Sequence, residues 1–321
     1  ASGFIGGWLA RIAVQRGYRL RAQYRRASPP PGLASLAAEG AELVRADLSC
    51  PADVRRIVAG VRRVVHAAGL VRDWAPEQDF VAHNVEASAR VAQAARAGGC
   101  RSFVFVSSTA VHGFGPHRNS TEEGPYYPLI SGYQRSKREA ERRVLAEAAP
   151  GFRVTVLRPG NVYGPGDTTT FYRLFRAQQL GVRGTLGGGG RLTCPVHVED
   201  FARAVFLALE SAAAAGEVFN VTSGEEVSWR DLLGCSAQLL GVQPWFELPI
   251  PVARALAALV LAAYRVLPLP GEPFLTRYRV DHVAYDYHFS IRKARTLLGY
   301  EPQIPWREGL RRTVEAYRAG R

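Results

Sequence analysis

The sequence predicts an α/β fold: a doubly wound parallel sheet with a smaller substrate region built on its C-terminal side. Three observations carry this expectation. Six short apolar stretches read as buried strands: "YRLRAQY" (18–24), "AELVRAD" (41–47), "VRRVVHAAG" (61–69), "SFVFVSS" (102–108), "RVTVLRP" (153–159) and "EVFNVTSG" (217–224). Helical stretches alternate with them, among them Ala52 to Ala59, Phe80 to Ala97 and Ser131 to Ala148, and such alternation argues for a parallel sheet covered on both faces. After Pro159 the pattern loosens into Gly- and Pro-rich loops and further helices, as expected of a ligand region beyond the carboxyl ends of the strands. The expected division is residues 1–159 for the sheet domain, with 196–223 returning to it, and 160–321 mainly for the substrate region.

In chain order, "ASGFIGGWLARIAVQRG" comes first, a glycine turn running into an apolar-periodic helix. Such a turn presents backbone N–H groups and a helix N-terminus to a phosphate, and it normally follows a strand. No strand precedes Gly3, so the chain is expected to start inside its own first motif, with an apolar strand of about five residues upstream. "SPPPG" (28–32) reads as a turn before a helix, and no internal repeat or low-complexity linker interrupts the pattern.

Composition excludes several classes. The 321 residues carry a formal charge of +13, but the arginines are scattered as singles and pairs, with no basic run of the kind that binds nucleic acid. Cys50, Cys100, Cys194 and Cys235 show no metal-type spacing, so no metal site is expected and a reduced, cytoplasmic compartment is the default. No secretory signal is present, and the longest apolar run, Ala255 to Tyr264, is ten residues where a bilayer needs about 20. Peripheral membrane contact and a homodimer stay open.

The chain has only two lysines against 39 arginines, yet one of them, Lys137, falls four residues after Tyr133 on an expected helix. That spacing sets both side chains on one face, so they can enter one site. The order of motifs adds to the pair. A Gly-x-x-Gly turn opens a helix, "AAG" (67–69) ends a strand, "SS" (107–108) ends another, and Tyr-x-x-x-Lys follows. Asp47-Leu48, Asn84 in "HNVEAS", "RPGNVYGPGD" (158–167), "PVHVEDFARAV" (195–205) and "LGYEP" (298–302) continue it. This order resembles the extended short-chain dehydrogenase/reductase family, with its Rossmann-type sheet, over nearly the whole chain. The nearest branch is that of 3β-hydroxysteroid dehydrogenases and dihydroflavonol-reductase-like enzymes.

The resemblance implies an NAD(P)-dependent oxidoreductase interconverting an alcohol and a ketone. Ser108 would hydrogen-bond the substrate oxygen, Tyr133 would pass the proton, and Lys137 would lower the phenol's pKa and bind the cofactor ribose. A compact ammonium suits that slot; arginine's planar fork does not. Gly3, Phe4, Ile5 and Gly6 fall in the pyrophosphate turn, and Asp47 and Leu48 at the adenine. Ala67, Ala68 and Gly69 would flank the cofactor, Asn84 would support the helix near the site, and Pro159 and Asn161 would lie at the nicotinamide end. His112 stands where the family carries tyrosine, and His197 reads as structural. Thr109 and Ala110 replace the Asp-Glu pair of sugar-nucleotide dehydratases, which rules out their acid–base chemistry. A nucleotide-sugar epimerase, which needs only Ser, Tyr and Lys, and a non-catalytic dinucleotide-binding regulator remain as alternatives.

Two finer expectations follow. The second strand ends in "QYRRAS", with Arg25 and Arg26 where NAD-preferring relatives place an acid, so NADP is expected over NAD. The segment "PIPVARALAALVLAAYRVLPLPGEPFLTRY" (249–278) has a helix apolar nearly all round, to be buried, laid on a membrane surface or set over a greasy pocket, and the expected small-molecule substrate is hydrophobic.

Overall fold

A computed structural model of the protein describes residues 1–243, 246–267, 269, 271–273 and 275–320. The strands used below are β1 (Arg21–Tyr24), β2 (Glu42–Arg45), β3 (Arg63–His66), β4 (Ser102–Val106), β5 (His117–Ser120), β6 (Arg153–Pro159), β7 (Asn161–Tyr163), β8 (Pro195–His197), β9 (Val218–Val221) and β10 (Tyr287–Phe289). The helices are α1 (Phe4–Gln15), α2 (Pro31–Ala38), α3 (Pro51–Val58), α4 (Ala87–Ala97), α5 (Gly132–Leu145), α6 (Val198–Glu210), α7 (Ile250–Val266) and α8 (Arg277–Ala284).

β4, the strand "SFVFV", is buried at every position, the mark of a parallel strand covered on both faces. Because side chains alternate along a strand, its residues part into two cores. Phe103 and Phe105 join Val154 and Val156 of β6 and pack under α3, α4 and α5, with Val54, Val91, Ala92, Ala140 and Val144. Val104 and Val106 face the other way, with Leu157, and pack on α1 and α6 through Leu9, Ala13, Phe201 and Val205. Each phenylalanine so buried contributes about 1.5–3 kcal/mol. The sheet runs β9–β6–β4–β3, all parallel, with Val106 opposite Leu157 and Leu157 opposite Phe219. The α/β architecture with a parallel sheet is therefore as the sequence predicts.

The expected single sheet is divided, however. β1 and β2 pair in parallel with each other and, among the described residues, with no other strand. α1 spans the division: Leu9 and Ala13 belong to the large core, while Ala10 packs with Ala22, Leu33 and Leu36 beside β1 and α2. The strands are also shorter than their apolar stretches. Residues 67–69 leave the ladder after His66 and become a loop beyond the strand end.

Three further differences bear on the site. The stretch expected as one helix from Phe80 to Ala97 is a short helical turn (Glu77–Phe80), a π-helical segment (Val81–Glu86) and then α4. Such wide turns occur frequently at functional positions. In α7 only Ala253 and Ala257 are buried, while Leu256 and Leu259 stand 42% and 67% exposed, so the helix is not enclosed as an all-round apolar helix would be. Among the described residues no helix is long and apolar enough to cross a membrane. Pro268, Pro270 and Phe274 of the same apolar segment lie outside the described residues.

The chain leaves β6 and enters β7 through Gly160. A Cβ there would meet the Cys194 carbonyl oxygen at 2.1 Å, while Gly160 N–H donates to Val221 O at 3.0 Å. Gly160→Ala must therefore push the 159–161 turn off β9 and the Cys194 backbone. The expected cost is about 1–3 kcal/mol, read as a lower Tm in thermal unfolding. An unchanged Tm would show that this approach is not tight.

Candidate active site

The residues singled out from the sequence gather where parallel strands end. Ser107 and Ser108 follow β4, Ala67 to Gly69 follow β3, Pro159 closes β6, and Arg25 and Asp47 lie just past β1 and β2. Carboxyl ends of strands in open α/β sheets are where ligands bind.

α5 carries Tyr133 and Lys137 to that edge. It starts where Ser131 Oγ accepts from Gln134 N–H and the Gln134 side chain accepts from Ser131 N–H, a reciprocal cap. Gly132 lets the helix start lie against the preceding turn, since a Cβ there would sit 2.5 Å from the Phe80 ring. Both Tyr133 and Lys137 are buried. Lys137 Nζ donates to Val106 O at 2.9 Å and lies 4.9 Å from the centre of the Phe105 ring. Burial holds its pKa down to about 8, while the Glu141 charge one turn along pulls it back up. The Ser108 side chain lies near enough to the Tyr133 phenol to act on its pKa, and Ser108 Oγ accepts from Ala110 N–H at 3.1 Å.

The phenol departs from the sequence expectation. Its pKa is raised, because burial penalises the phenolate more than Ser108 favours it. Lys137 is turned toward the end of β4, to Val106 O and the Phe105 ring. At neutral pH Tyr133 is thus a protonated phenol, a proton donor first.

Asn84, in the π-helical segment, ties three parts of the site together. Its Oδ1 accepts from Leu70 N–H at 2.6 Å, and its Nδ2 donates to Leu70 O at 3.1 Å and Ser136 Oγ at 2.9 Å. Beside it a Cβ on Gly69 would lie 3.0 Å from Asn84 Oδ1 and 3.4 Å from Lys137 Nζ, so only glycine leaves this approach free. Asn84, Gly69 and Lys137 are therefore neighbours.

The cofactor candidates line the remaining edge. Gly3 is the N-cap of α1, in extended conformation, and no side chain caps the helix and no acid sits in its first turn with Phe4, Ile5 and Gly6. A cavity of about 330 Å³ is lined by Arg25, Arg45, Ala46, Asp47 and Asp53. Asp47 Oδ1 accepts from Ser49 N–H and Ser49 Oγ, both at 2.8 Å, which holds its carboxyl below the usual range and places both bonds on one oxygen. Leu48 packs against the core under α3 and α4, and its carbonyl accepts from Arg90. Ala67 and Ala68 are half-buried beyond β3. Asn161 N–H donates to Cys194 O at 2.8 Å and its Nδ2 to Thr193 Oγ1 at 2.9 Å, which holds its side chain against the chain entering β8.

Sequence reasoning missed a buried ion pair behind the site. Arg158 of β6 forks onto Glu141 of α5, with Nη2 donating to Oε2 at 2.7 Å and Nε to Oε1 at 3.0 Å. Its Nη1 donates to His112 Nε2 at 3.1 Å and to Glu122 O at 2.9 Å. His112 Nδ1 donates to Pro125 O at 3.3 Å, so both ring nitrogens are used and the imidazole is neutral. Burial and then the Arg158 charge lower its pKa to about 3. The ring stacks on Tyr126 at 4.7 Å. Histidine at this position thus serves as acceptor for a structural arginine. Only "LRP" and the four-residue spacing Lys137–Glu141 hinted at it, and neither identifies a partner.

The model of the NAD dependent epimerase/dehydratase family matches residues 1–222. A 2-alkyl-3-oxoalkanoate reductase of Stenotrophomonas maltophilia (strain K279a) is 31% identical over 97% of this chain and 95% of its own. A decarboxylating sterol-4-alpha-carboxylate 3-dehydrogenase of Schizosaccharomyces pombe is 28% identical over 84% of this chain and 82% of its own. Among solved structures, MoeE5 in complex with UDP-glucuronic acid and NAD superposes with a TM-score of 0.78 at 26% identity, covering 100% of this chain and 97% of that one. The chain belongs to the NAD dependent epimerase/dehydratase family. Within it, the protein is an NAD(P)-dependent enzyme of the extended short-chain dehydrogenase/reductase type, with reductases and dehydrogenases among its relatives.

The ion pair gives a stability prediction. Glu141→Ala strands the Arg158 guanidinium in the interior and is expected to destabilise by about 3–5 kcal/mol. Replacing both partners together, Glu141→Leu with Arg158→Met, should recover much of that loss. Chemical denaturation of the three proteins checks this, and equal losses in single and double variants would contradict it.

Proposed function

We propose that this enzyme interconverts a hydrophobic β-hydroxy and β-oxo compound, with Ser108, Tyr133 and Lys137 as its catalytic set. The observation that carries the reading is the buried Tyr133 close to the Ser108 side chain, with the buried Lys137 one turn along α5. In the reducing direction the Ser108 hydroxyl holds the substrate carbonyl oxygen and Tyr133, protonated at neutral pH, delivers a proton to it. In the oxidising direction the same phenol takes the proton back. Lys137 offers two further N–H donors beyond its bond to Val106 O, suited to sugar hydroxyls.

The residues present fit a nicotinamide dinucleotide. The uncapped, acid-free start of α1 at Gly3 to Gly6 suits a pyrophosphate, and Asp47, with one carboxylate oxygen free of its Ser49 bonds, suits the adenine amino group. Ala67, Ala68 and Gly69 leave space along the β3 edge, Asn84 holds the Gly69 loop, and Pro159 and Asn161 bound the nicotinamide end. The bound cofactor supplies or accepts the hydride at the substrate carbon. Arg25 and Arg26 are exposed at the end of β1, and Arg25 lines the cavity with Asp47. A guanidinium there favours a ribose 2′-phosphate, hence NADP over NAD.

The surroundings of Tyr133 support a hydrophobic substrate. It packs in a cluster with Phe80, Ala110, Leu70, Ala75 and Tyr278, an apolar face for a substrate. The two relatives named above act, by their names, on an oxoalkanoate and on a sterol carboxylate, each apolar with a carboxylate beside the reacting position. MoeE5 holds a nucleotide sugar, so epimerisation of such a sugar is the second reading.

Tyr133→Phe is expected to lose nearly all turnover and Lys137→Arg most of it, on the order of 10²-fold or more, with the fold retained. The assay compares hydrophobic β-oxo esters with UDP-glucose and UDP-galactose. Near wild-type turnover by Tyr133→Phe contradicts the mechanism, and epimerisation of a sugar with silence on every oxo ester supports the second reading instead. For the cofactor, fluorescence titration should show NADP binding more tightly than NAD, with Arg25→Ala narrowing the gap; tighter NAD would reverse the preference.

A further inference from the structure

One buried polar group beside the site has no role in the reading above. Tyr287, the first residue of β10, is 2% exposed, and its hydroxyl has no hydrogen-bond partner. Its ring is fixed by aromatic contacts on several sides: His282 at 5.1 Å, His117 at 5.4 Å, Phe289 at 4.8 Å and Phe114 at 5.5 Å. A hydroxyl on a ring so wedged has a fixed position. Phe114 also touches Tyr278 at 4.8 Å, and Tyr278 packs on Tyr133, so one aromatic wall runs from the catalytic phenol to Tyr287. The polar groups beside Tyr287 are Thr109, next in sequence to Ser108, and Cys194, whose Sγ lies 4.0 Å from Thr109 Oγ1. Thr109 is near enough to act on the phenol but makes no bond of normal geometry with it.

A buried hydroxyl left without a partner is unfavourable and rare in folded proteins. A ligand acceptor oxygen relieves it. The group is a donor across the physiological range, since burial pushes its pKa well above the ordinary 10. The walls around it are aromatic rings, the His117 and His282 imidazoles among them, with the Thr109 hydroxyl and the Cys194 thiol, which burial pushes up to about 12. An uncharged donor in an aromatic wall selects an oxygen on an otherwise apolar molecule.

We propose that the Tyr287 hydroxyl donates to the second oxygen of a 1,3-dioxygenated substrate whose reacting carbonyl lies at Ser108 and Tyr133. This rests on the oxidoreductase reading above and makes Tyr287 a specificity-determining residue. The second oxygen is a carbonyl or carboxylate acceptor, as an ester and an acid both provide.

The test measures kcat/KM with NADPH for a 3-oxo ester, the matching 3-oxo acid and a monoketone of the same chain length, in wild type and Tyr287→Phe. The expected result is a preference for a dioxygenated compound in wild type that falls about tenfold in the variant, carried by KM. The ester and acid arms show which form of the second oxygen is read. Thermal unfolding of the cofactor-free variant should give a Tm equal to or above wild type, because no protein bond is lost with the hydroxyl. A preference unchanged by the substitution overturns the inference while the oxidoreductase reading stands. A clear fall in Tm overturns it too, by showing that the hydroxyl already has a protein partner. Absence of turnover on all three compounds by wild type fails the reading itself, and the inference with it.

Discussion

Everything near the site is organised by an ammonium group placed out of water. Lys137 is fully within the protein, yet no carboxylate touches it; a backbone carbonyl and an aromatic face receive it, with Glu141 acting from one turn away. Because its folded pKa, about 8, lies below the ordinary 10.5, the unfolded chain takes up the proton first as pH falls. Stability therefore falls as pH drops from about 10.5 to about 8 and levels off below, a cost of about 3 kcal/mol. A fold retains such a cost where the charge has work to do, and strongly perturbed groups concentrate at functional sites.

The neighbouring structure serves that placement. β4 must end at Val106 for its carbonyl to meet Nζ, and α5 must start at Gly132 for Tyr133 and Lys137 to reach the same edge. Gly132 admits Phe80, the Phe80 turn leads into the π-helical segment, and that segment carries Asn84 to Leu70 and Ser136. One turn further along the same face of α5, the Arg158–Glu141 fork fastens the helix to β6, and His112 and Tyr126 close around it. The same glutamate steadies the helix and favours the charged form of Lys137. Structural and functional demands meet in one side chain.

The parallel sheet and the Tyr133–Lys137 pair were legible because each is written in local spacing: runs of apolar residues for strands, four residues for a helix face. β4 is the clearest case, since burial on both faces leaves an unbroken apolar run. What stayed hidden depends on partners far apart in sequence. Nothing local tells that Arg158 meets Glu141, or that β10 pairs with β5 and brings Tyr287 toward Thr109. The π-helical turn at Val81–Glu86 breaks no propensity rule, and the bonds of Asn84 to the Leu70 backbone join it to a segment far from it in local pattern. The direction of the Tyr133 pKa failed for a related reason. Spacing shows a cation one turn away, but only the packed structure shows the phenol raised by burial and the ammonium turned to Val106 O and the Phe105 ring. The sequence left α7 open between burial, a membrane surface and cover over a pocket, because composition counts apolar residues without counting the surface available to cover them.

The central claim is that this edge transfers hydride to a carbonyl carbon while Tyr133 supplies the proton. The most direct measurement uses NADPH carrying deuterium at both C4 positions of the dihydronicotinamide ring with a hydrophobic 3-oxo ester, and reads the product by mass spectrometry. The account predicts one deuterium on the new carbinol carbon. A reduced product without deuterium, or an unreduced ester alongside an epimerised UDP-sugar, would contradict it.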